Sequence, residues 1–132
     1  MYHGIVLDAE FNDPTILDTF KIFAKRKSLD EDWILYGVEV EDSKLKETVK
    51  RIQSELKSEK PYYVHFYNDK KLIVIFKEKI FYASPHRSTW KEILEYGKKL
   101  NIPNNQLNIW PNRFQDEIHY FKEEDFVNQK QL

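Results

Sequence analysis

The stretch from residue 62 to residue 84 constrains the fold more than any other part of this sequence. It contains three short runs rich in β-forming residues, at 62–67, 72–77 and 80–82, separated by polar residues that suit tight turns. This pattern predicts an antiparallel meander in the C-terminal half of the chain. The middle run is apolar at every position from 72 to 76, which is typical of a central strand with both faces covered.

The N-terminal half adds three further strands. Residues 3–11 alternate in polarity and predict a first strand. Asp13 followed by Pro14 is a helix-start signal, so we expect a short helix over 14–20. Residues 21–27 fit either a helix or a strand, and we favour a strand. Residues 33–40 alternate clearly and predict a third strand.

Two longer helices are expected. Apolar residues spaced at +4, +3 and +4 over residues 45–56 form a single stripe, which predicts an amphipathic helix. Thr89 and Glu92 match a capping box, in which Thr89 would cap a helix running to about residue 100.

This order of elements predicts an α+β fold. Strands and helices do not alternate strictly, so we expect an antiparallel sheet of five to six strands packed against two to three helices on one face. Residues 1–110 form the predicted single domain. Residues 111–132 form a C-terminal extension whose aromatic residues suggest that it docks on the domain or on a partner, while residues 128–132 are expected to fray.

Composition narrows the class of protein. The chain has no cysteine, which excludes disulfides, thiolate metal sites and cysteine nucleophiles and suits a reducing compartment. A net charge of −1 gives no overall attraction to nucleic acid or to an acidic membrane surface. No signal peptide or membrane-length apolar run is visible, so we expect a cytoplasmic protein with no membrane contact.

Several segments carry a resemblance. YHGIVL at 2–7, WILYGVEV at 33–40, YVHFYND at 63–69, VIFKEKIF at 74–81 and STWK to EYG within 88–97 occur in this order. The sequence resembles a family of small uncharacterised (hypothetical) prokaryotic proteins. The likeness covers residues 2 to 110. It implies one compact domain and no particular activity, cofactor or catalytic residue.

The loop before the last predicted helix is the best local candidate for a ligand. It brings together an imidazole, a guanidinium and two hydroxyls, from His86, Arg87, Ser88 and Thr89. Helix N-termini and arginine both favour phosphate and carboxylate groups, so this loop predicts a binder of a small anionic metabolite, or an enzyme acting on one. The ordinary alternative, which we favour, is a solvated loop whose Thr89 only caps the helix.

A second candidate is the strand face formed by Tyr63, His65 and Tyr67. A row of rings needs a cover, which the C-terminal extension, a second subunit or a ligand would provide. Single-stranded RNA stacks on such sheet aromatics in known domains. Nucleic acid is nevertheless not favoured, because the flanking sequence is not strongly basic.

The remaining ionisable residues give weaker signals. The four histidines, His3, His65, His86 and His119, share no ligand spacing, so neither a metal site nor a cofactor is predicted. Asp8 and Glu10 would share a strand face and could act in acid–base chemistry if buried. A turn also gathers acidic residues, Asp30, Glu31 and Asp32.

Taken together, these features favour a non-catalytic binding or protein-interaction module. A homodimer formed through the sheet or the extension is one form of this hypothesis. Enzyme activity is not favoured, because no Ser-His-Asp order or nucleophile elbow is visible.

Overall fold

The computed structural model describes residues 1–29 and 32–127. Its strands are β1 (Tyr2–Leu7), β2 (Lys21–Lys27), β3 (Ile34–Val40), β4 (Tyr63–Asn68), β5 (Lys71–Phe76) and β6 (Ile80–Ala83). They form one six-stranded sheet in the order β2-β3-β1-β4-β5-β6, and every neighbouring pair is antiparallel. The predicted α+β fold is confirmed.

The α-helices of the described residues are α1 (Leu45–Glu55), α2 (Lys91–Lys99) and the single turn α3 (Glu117–Tyr120). A 3-10 helix at Pro14–Thr19 occupies the position of the predicted short helix, and Asp13 accepts a hydrogen bond from the Thr15 N–H at its start. Residues 21–27 form a strand. The expected fraying of residues 128–132 lies outside the described residues.

The predicted meander is confirmed. β4 pairs with β5 from Tyr63↔Phe76 to Asn68↔Lys71, and β5 pairs with β6 from Leu72↔Ala83 to Ile75↔Ile80. Residues 72–76 are all buried. Because side chains alternate across a strand, β5 contributes apolar residues to both faces of the sheet, so both faces need a cover.

The first face is covered by α1 and by the Pro14–Thr19 helix. Val49 and Ile52 of α1 and the neighbouring Ile16 and Leu17 are buried there. The sheet residues beneath them are Val6, Val38, Val64, Phe66, Ile73 and Ile75.

The opposite face is covered by α2 and by the chain from residue 102 to residue 126. The buried residues of this second core include Ile5, Leu35, Tyr67, Leu72, Val74, Phe76, Ile93, Ile102, Leu107, Ile109 and Phe121. The expectation that the helices pack on one face is therefore wrong. A sheet with large apolar side chains on both sides needs two layers, since each uncovered apolar Å² costs roughly 25 cal/mol.

The first strand is shorter than predicted. β1 ends at Leu7, and Asp8–Glu10 form one turn of 3-10 helix. Asp8 accepts a hydrogen bond from the Ile34 N–H, whereas Glu10 turns back to accept one from the Leu7 N–H. The prediction that Asp8 and Glu10 share a strand face is wrong, because the chain turns between them.

The predicted capping box is also wrong. α2 begins at Lys91, and Thr89 lies in a preceding 3-10 turn, Arg87–Thr89. The Thr89 hydroxyl donates to the His86 carbonyl at 2.7 Å instead of capping α2.

A network around Glu117 ties the C-terminal segment to the sheet. The buried Glu117 carboxylate accepts a hydrogen bond from the Tyr67 hydroxyl and pairs with His3 Nδ1 at 2.6 Å. The other ring nitrogen of His3 lies 3.4 Å from a Glu39 oxygen. Side chains from β1, β3, β4 and α3 thus meet at one point.

Further contacts hold this segment along its length. Arg26 of β2 donates to the Tyr120 carbonyl at 2.7 Å, and its guanidinium lies 4.7 Å from the centre of the Tyr120 ring. The Val127 N–H donates to the Phe23 carbonyl at 3.0 Å, on the outer edge of β2. Residues 111–127 therefore lie across the sheet as part of the same α+β domain.

Candidate functional site

The loop at residues 84–89 is held by hydrogen bonds among Ser84, the His86 backbone and Thr89. The Ser84 N–H donates to the Thr89 hydroxyl at 3.2 Å, and the Trp90 indole donates to the Ser84 carbonyl at 2.8 Å. His86, Arg87, Ser88 and Thr89 are all exposed. The Arg87 guanidinium stacks over Trp90 at 5.5 Å. The loop remains a predicted anion site, and these contacts match the alternative of a solvated, self-capped turn.

The Tyr63, His65 and Tyr67 face lies under the chain that follows α2. Tyr67 is fully buried and His65 is 5% exposed. His65 Nε2 donates to the Pro111 carbonyl at 2.7 Å, and the Tyr63 hydroxyl donates to the Gln106 carbonyl at 2.6 Å. Because protein covers the rings of His65 and Tyr67, this face presents no platform on which bases could stack.

The cover is incomplete at one end of the sheet, and a cavity of about 600 Å³ opens there. We call it the Glu10 cavity. Its sheet wall consists of Ile5, Leu7, Trp33, Leu35, Tyr63 and His65. Its covering wall consists of Ile102, Asn105, Gln106, Asn108, Trp110 and Tyr120. Glu10, Pro61 and Tyr62 complete the lining.

Local structure explains why these side chains converge. Glu10 lines the cavity because the chain changes direction in the 3-10 turn that follows β1. The covering wall is held by the bonds from Tyr63 and His65 described above. Within it, Ile109 has φ 47°, a left-handed conformation that is strained for a β-branched residue and persists only where its surroundings fix it. Ile109 is itself buried, so packing holds this turn in place.

Glu10 is the central ionisable group of the cavity. Its side chain is 5% exposed, and its Oε1 accepts the Leu7 N–H at 2.8 Å. None of the ion pairs among residues 1–29 and 32–127 includes it. Burial raises the pKa of Glu10 to about 8, opposed in part by the Leu7 hydrogen bond. The carboxyl group is therefore mostly protonated at neutral pH.

Three other titratable groups of the cavity have shifted pKa values. Burial lowers the pKa of His65 to about 4, although its bond to Pro111 opposes this. Burial, and then the proximity of Glu10, raise the pKa of Tyr63 to about 12. Burial also raises the pKa of Tyr120, against the influence of Arg26. The cavity is thus a neutral, aromatic space with one acid whose charge depends on pH near neutrality.

Sequence reasoning identified part of this site. Tyr63 and His65 were candidates as a stacking face, and Glu10 as half of a carboxylate pair. Trp33, Trp110 and Tyr120 were missed as wall residues. For Tyr120 the available signal was the density of aromatic residues after residue 110, which indicated docking without showing that the docked segment leaves a gap.

Comparison with known proteins finds no family model, no curated protein and no solved structure that matches this chain. The resemblance to a family of small prokaryotic proteins stays a prediction. The fold and the cavity together describe an α+β domain in which both faces of the antiparallel sheet are covered and a cavity opens at one end.

The part of the chain that the structure describes, residues 1–29 and 32–127, lacks two further features. No group of three or more His, Asp or Glu side chains in that part is arranged to hold a metal ion. None of its helices is both long and apolar enough to cross a membrane. The acidic turn at 30–32 falls partly on residues 30–31, which lie outside the description.

Proposed function

We propose that this chain is a small-molecule-binding domain and that the Glu10 cavity is its ligand site. The observation that carries this proposal is a buried carboxyl group, without a cationic partner in the described structure, on the wall of an aromatic cavity. Ligand sites are typically concave and largely apolar, with a few placed polar groups and volumes of about 300–1,000 Å³. The cavity volume of about 600 Å³ lies within this range.

Binding is better supported than catalysis. Glu10 is the only Asp or Glu among the cavity-lining residues, and none of them is a Ser, Thr, Cys or Lys that could act as a nucleophile. The proposal is thus a specific form of the non-catalytic binding module expected from the sequence. The proposed binding site is a pocket for a small molecule and not a surface for a protein partner, because the aromatic face that suggested such a partner is covered.

Substitutions at the rim test the site. Asn105 and its neighbour Asn104 are both exposed, but only Asn105 lines the cavity. Both belong to the same 3-10 turn, Asn104–Gln106. Asn105→Trp should place an indole in the entrance with little cost to folding, and Asn104→Trp is the matched control.

The experiment is a thermal-shift screen of the wild-type protein against a metabolite library, followed by titration of the hits on both variants. We expect hits to keep their affinity for Asn104→Trp and to lose at least about tenfold for Asn105→Trp, which corresponds to about 1.4 kcal/mol. Equal affinity for the two variants, or no hit in the library, would count against the Glu10 cavity as the ligand site.

Location and assembly are part of the same proposal. A cytoplasmic location is supported by the absence of cysteine, which suits a reducing compartment. A homodimer stays a prediction, to be tested by light scattering across concentrations. The anion site at His86 and Arg87 stays the alternative, and Arg87→Ala should change no hit that acts through the Glu10 cavity.

A further inference from the structure

The charge of the cavity lining is one-sided. It contains one acidic residue, Glu10, and no lysine or arginine. Arg26 comes close to the covering wall, but its guanidinium is engaged by the carbonyl and ring of Tyr120. An anionic ligand would therefore find no Lys or Arg side chain in the lining and would meet a carboxylate whenever Glu10 is ionised.

The rings of the lining complement this charge. Five aromatic residues line the cavity: Trp33, Tyr62, Tyr63, Trp110 and Tyr120. The faces of such rings carry negative potential and attract cations, with Trp the strongest. Among the described residues, no Lys or Arg side chain stacks on the ring of Trp33, Tyr63 or Trp110. Trp110 packs edge-on against Tyr120 and Tyr63 packs against Phe76, so what these three rings share is that no described Lys or Arg occupies them.

Neutral acceptors add to the same preference. The Tyr63 hydroxyl uses its proton on the Gln106 carbonyl, which leaves its oxygen able to accept. The amides of Asn105 and Asn108 also line the cavity. An ammonium group offers only donors or a bare positive charge, so each of these groups suits it.

Resting on the proposed function, we propose that the occupant of the Glu10 cavity is a small organic cation whose ammonium group lies against the Glu10 carboxylate and among the rings of Trp33, Tyr63 and Trp110. The ligand supplies the counter-charge that the protein does not. A neutral ligand would leave an ionised Glu10 with only the Leu7 N–H as a partner and no counter-charge, which is costly for a buried carboxylate.

The proposal predicts a dependence on pH. A cation binds the ionised form of Glu10, so its affinity should rise with pH up to the pKa of Glu10 in the free protein, about 8. The other groups that face it titrate elsewhere: His65 at about 4, Tyr63 at about 12, and Tyr120 above its ordinary value. Arg26, beyond Tyr120, stays charged throughout.

The test uses fluorine NMR on protein labelled with fluorotryptophan. The chain has three tryptophans, of which Trp33 and Trp110 line the cavity and Trp90 lies under the 84–89 loop. The probes are choline and butylammonium, each paired with a neutral counterpart: dimethylbutanol, the carbon isostere of choline, and butanol. Trp90 reports any effect that does not come from the cavity.

We expect at least one cation to shift the Trp33 and Trp110 signals, to leave Trp90 unchanged, and to bind at least about tenfold more tightly than its neutral counterpart. Glu10→Gln should remove that difference, and Glu47→Gln, an exposed control on α1, should not. In the wild-type protein, choline should bind at least about tenfold more weakly at about pH 6 than at about pH 9. This comparison uses no variant, so it does not depend on whether Glu10→Gln folds.

Equal binding of cation and neutral counterpart at Trp33 and Trp110 would overturn the cation class and leave the cavity as a ligand site. The same holds if choline binds equally at both pH values. If neither the four probes nor the compounds of the wider library shift Trp33 and Trp110, the proposed function itself fails.

Discussion

Glu10 should make the folded protein less stable as pH rises through neutrality. Glu10→Gln is the clean perturbation, because the amide oxygen can still accept the Leu7 N–H at the 2.8 Å position while the charge can no longer form. The new amide N–H₂ group does not titrate, so any cost of burying it is the same at every pH in this range. The substitution therefore removes one titration from the pH dependence of stability.

The magnitude follows from the two pKa values. The pKa of Glu10 rises from 4.5 in the unfolded chain to about 8 in the folded protein. Within that window the unfolded chain has released the proton and the folded protein still holds it, so the free energy of unfolding falls as pH rises. At about 1.4 kcal/mol per pH unit, the full effect is about 5 kcal/mol. This is comparable with the whole stability of a small domain.

The assay is urea unfolding of both proteins at several values between about pH 5 and about pH 9, with Glu47→Gln as the exposed control. The wild-type curve should fall towards high pH relative to Glu10→Gln, and the control should follow the wild type. Parallel curves for wild type and Glu10→Gln would refute the reasoning, since they would mean that the Glu10 carboxyl is already solvated or ionised at no cost.

Three further predictions concern the second core. The wild-type protein should lose about 3 kcal/mol of stability as pH falls from 6.5 to about 4, because the buried His65 imidazole must become charged. His65→Gln should remove this loss, measured by urea unfolding across that range. Tyr67→Phe should cost about 1–3 kcal/mol, because Glu117 loses a buried donor; an unchanged urea midpoint would show that water replaces it. Gly97→Ala should cost about 1–3 kcal/mol despite the better helix propensity of alanine, since its Cβ would lie 2.2 Å from a methyl of Leu107; a raised melting temperature would contradict this packing.

The meander could be predicted because its signals are local. The runs at 62–67, 72–77 and 80–82 differ from the observed β4, β5 and β6 by about one residue at each end, since tight polar turns fix both the ends and the pairing. The same holds for the stripe over 45–56, which is α1 and the Leu56 that follows it.

The errors arose where side-chain hydrogen bonds outside the regular pattern decide the structure. Thr89 and Glu92 have capping-box spacing, but the hydroxyl of Thr89 finds carbonyls in its own loop first. Residues 8–11 continue the alternation of β1, yet Asp8 is captured by the Ile34 N–H and the chain turns. Neither competing partner is visible from local pattern alone.

The site was predictable only in parts for the same reason. Periodicity placed Tyr63 and His65 on one face, and composition indicated that the C-terminal rings dock. The covering wall of the cavity depends on where the segment from 102 to 120 crosses the sheet, and that crossing is set by side-chain contacts such as Tyr63 to Gln106. Patterns of hydrophobicity carry no information on such contacts.

The position of β1 gives the sheet an unusual dependence on its earliest strand. β2 with β3, and β4 with β5 and β6, are ribbons that each form from neighbouring stretches of chain, whereas β1 joins the two ribbons by pairing with β3 on one side and β4 on the other. Loss of Tyr2–Leu7 would divide the sheet into two ribbons and leave β3 and β4 each without a partner on one side. Each of the two layers that cover the sheet packs on residues of both ribbons. Both ribbons must therefore form before either layer can pack completely on the sheet.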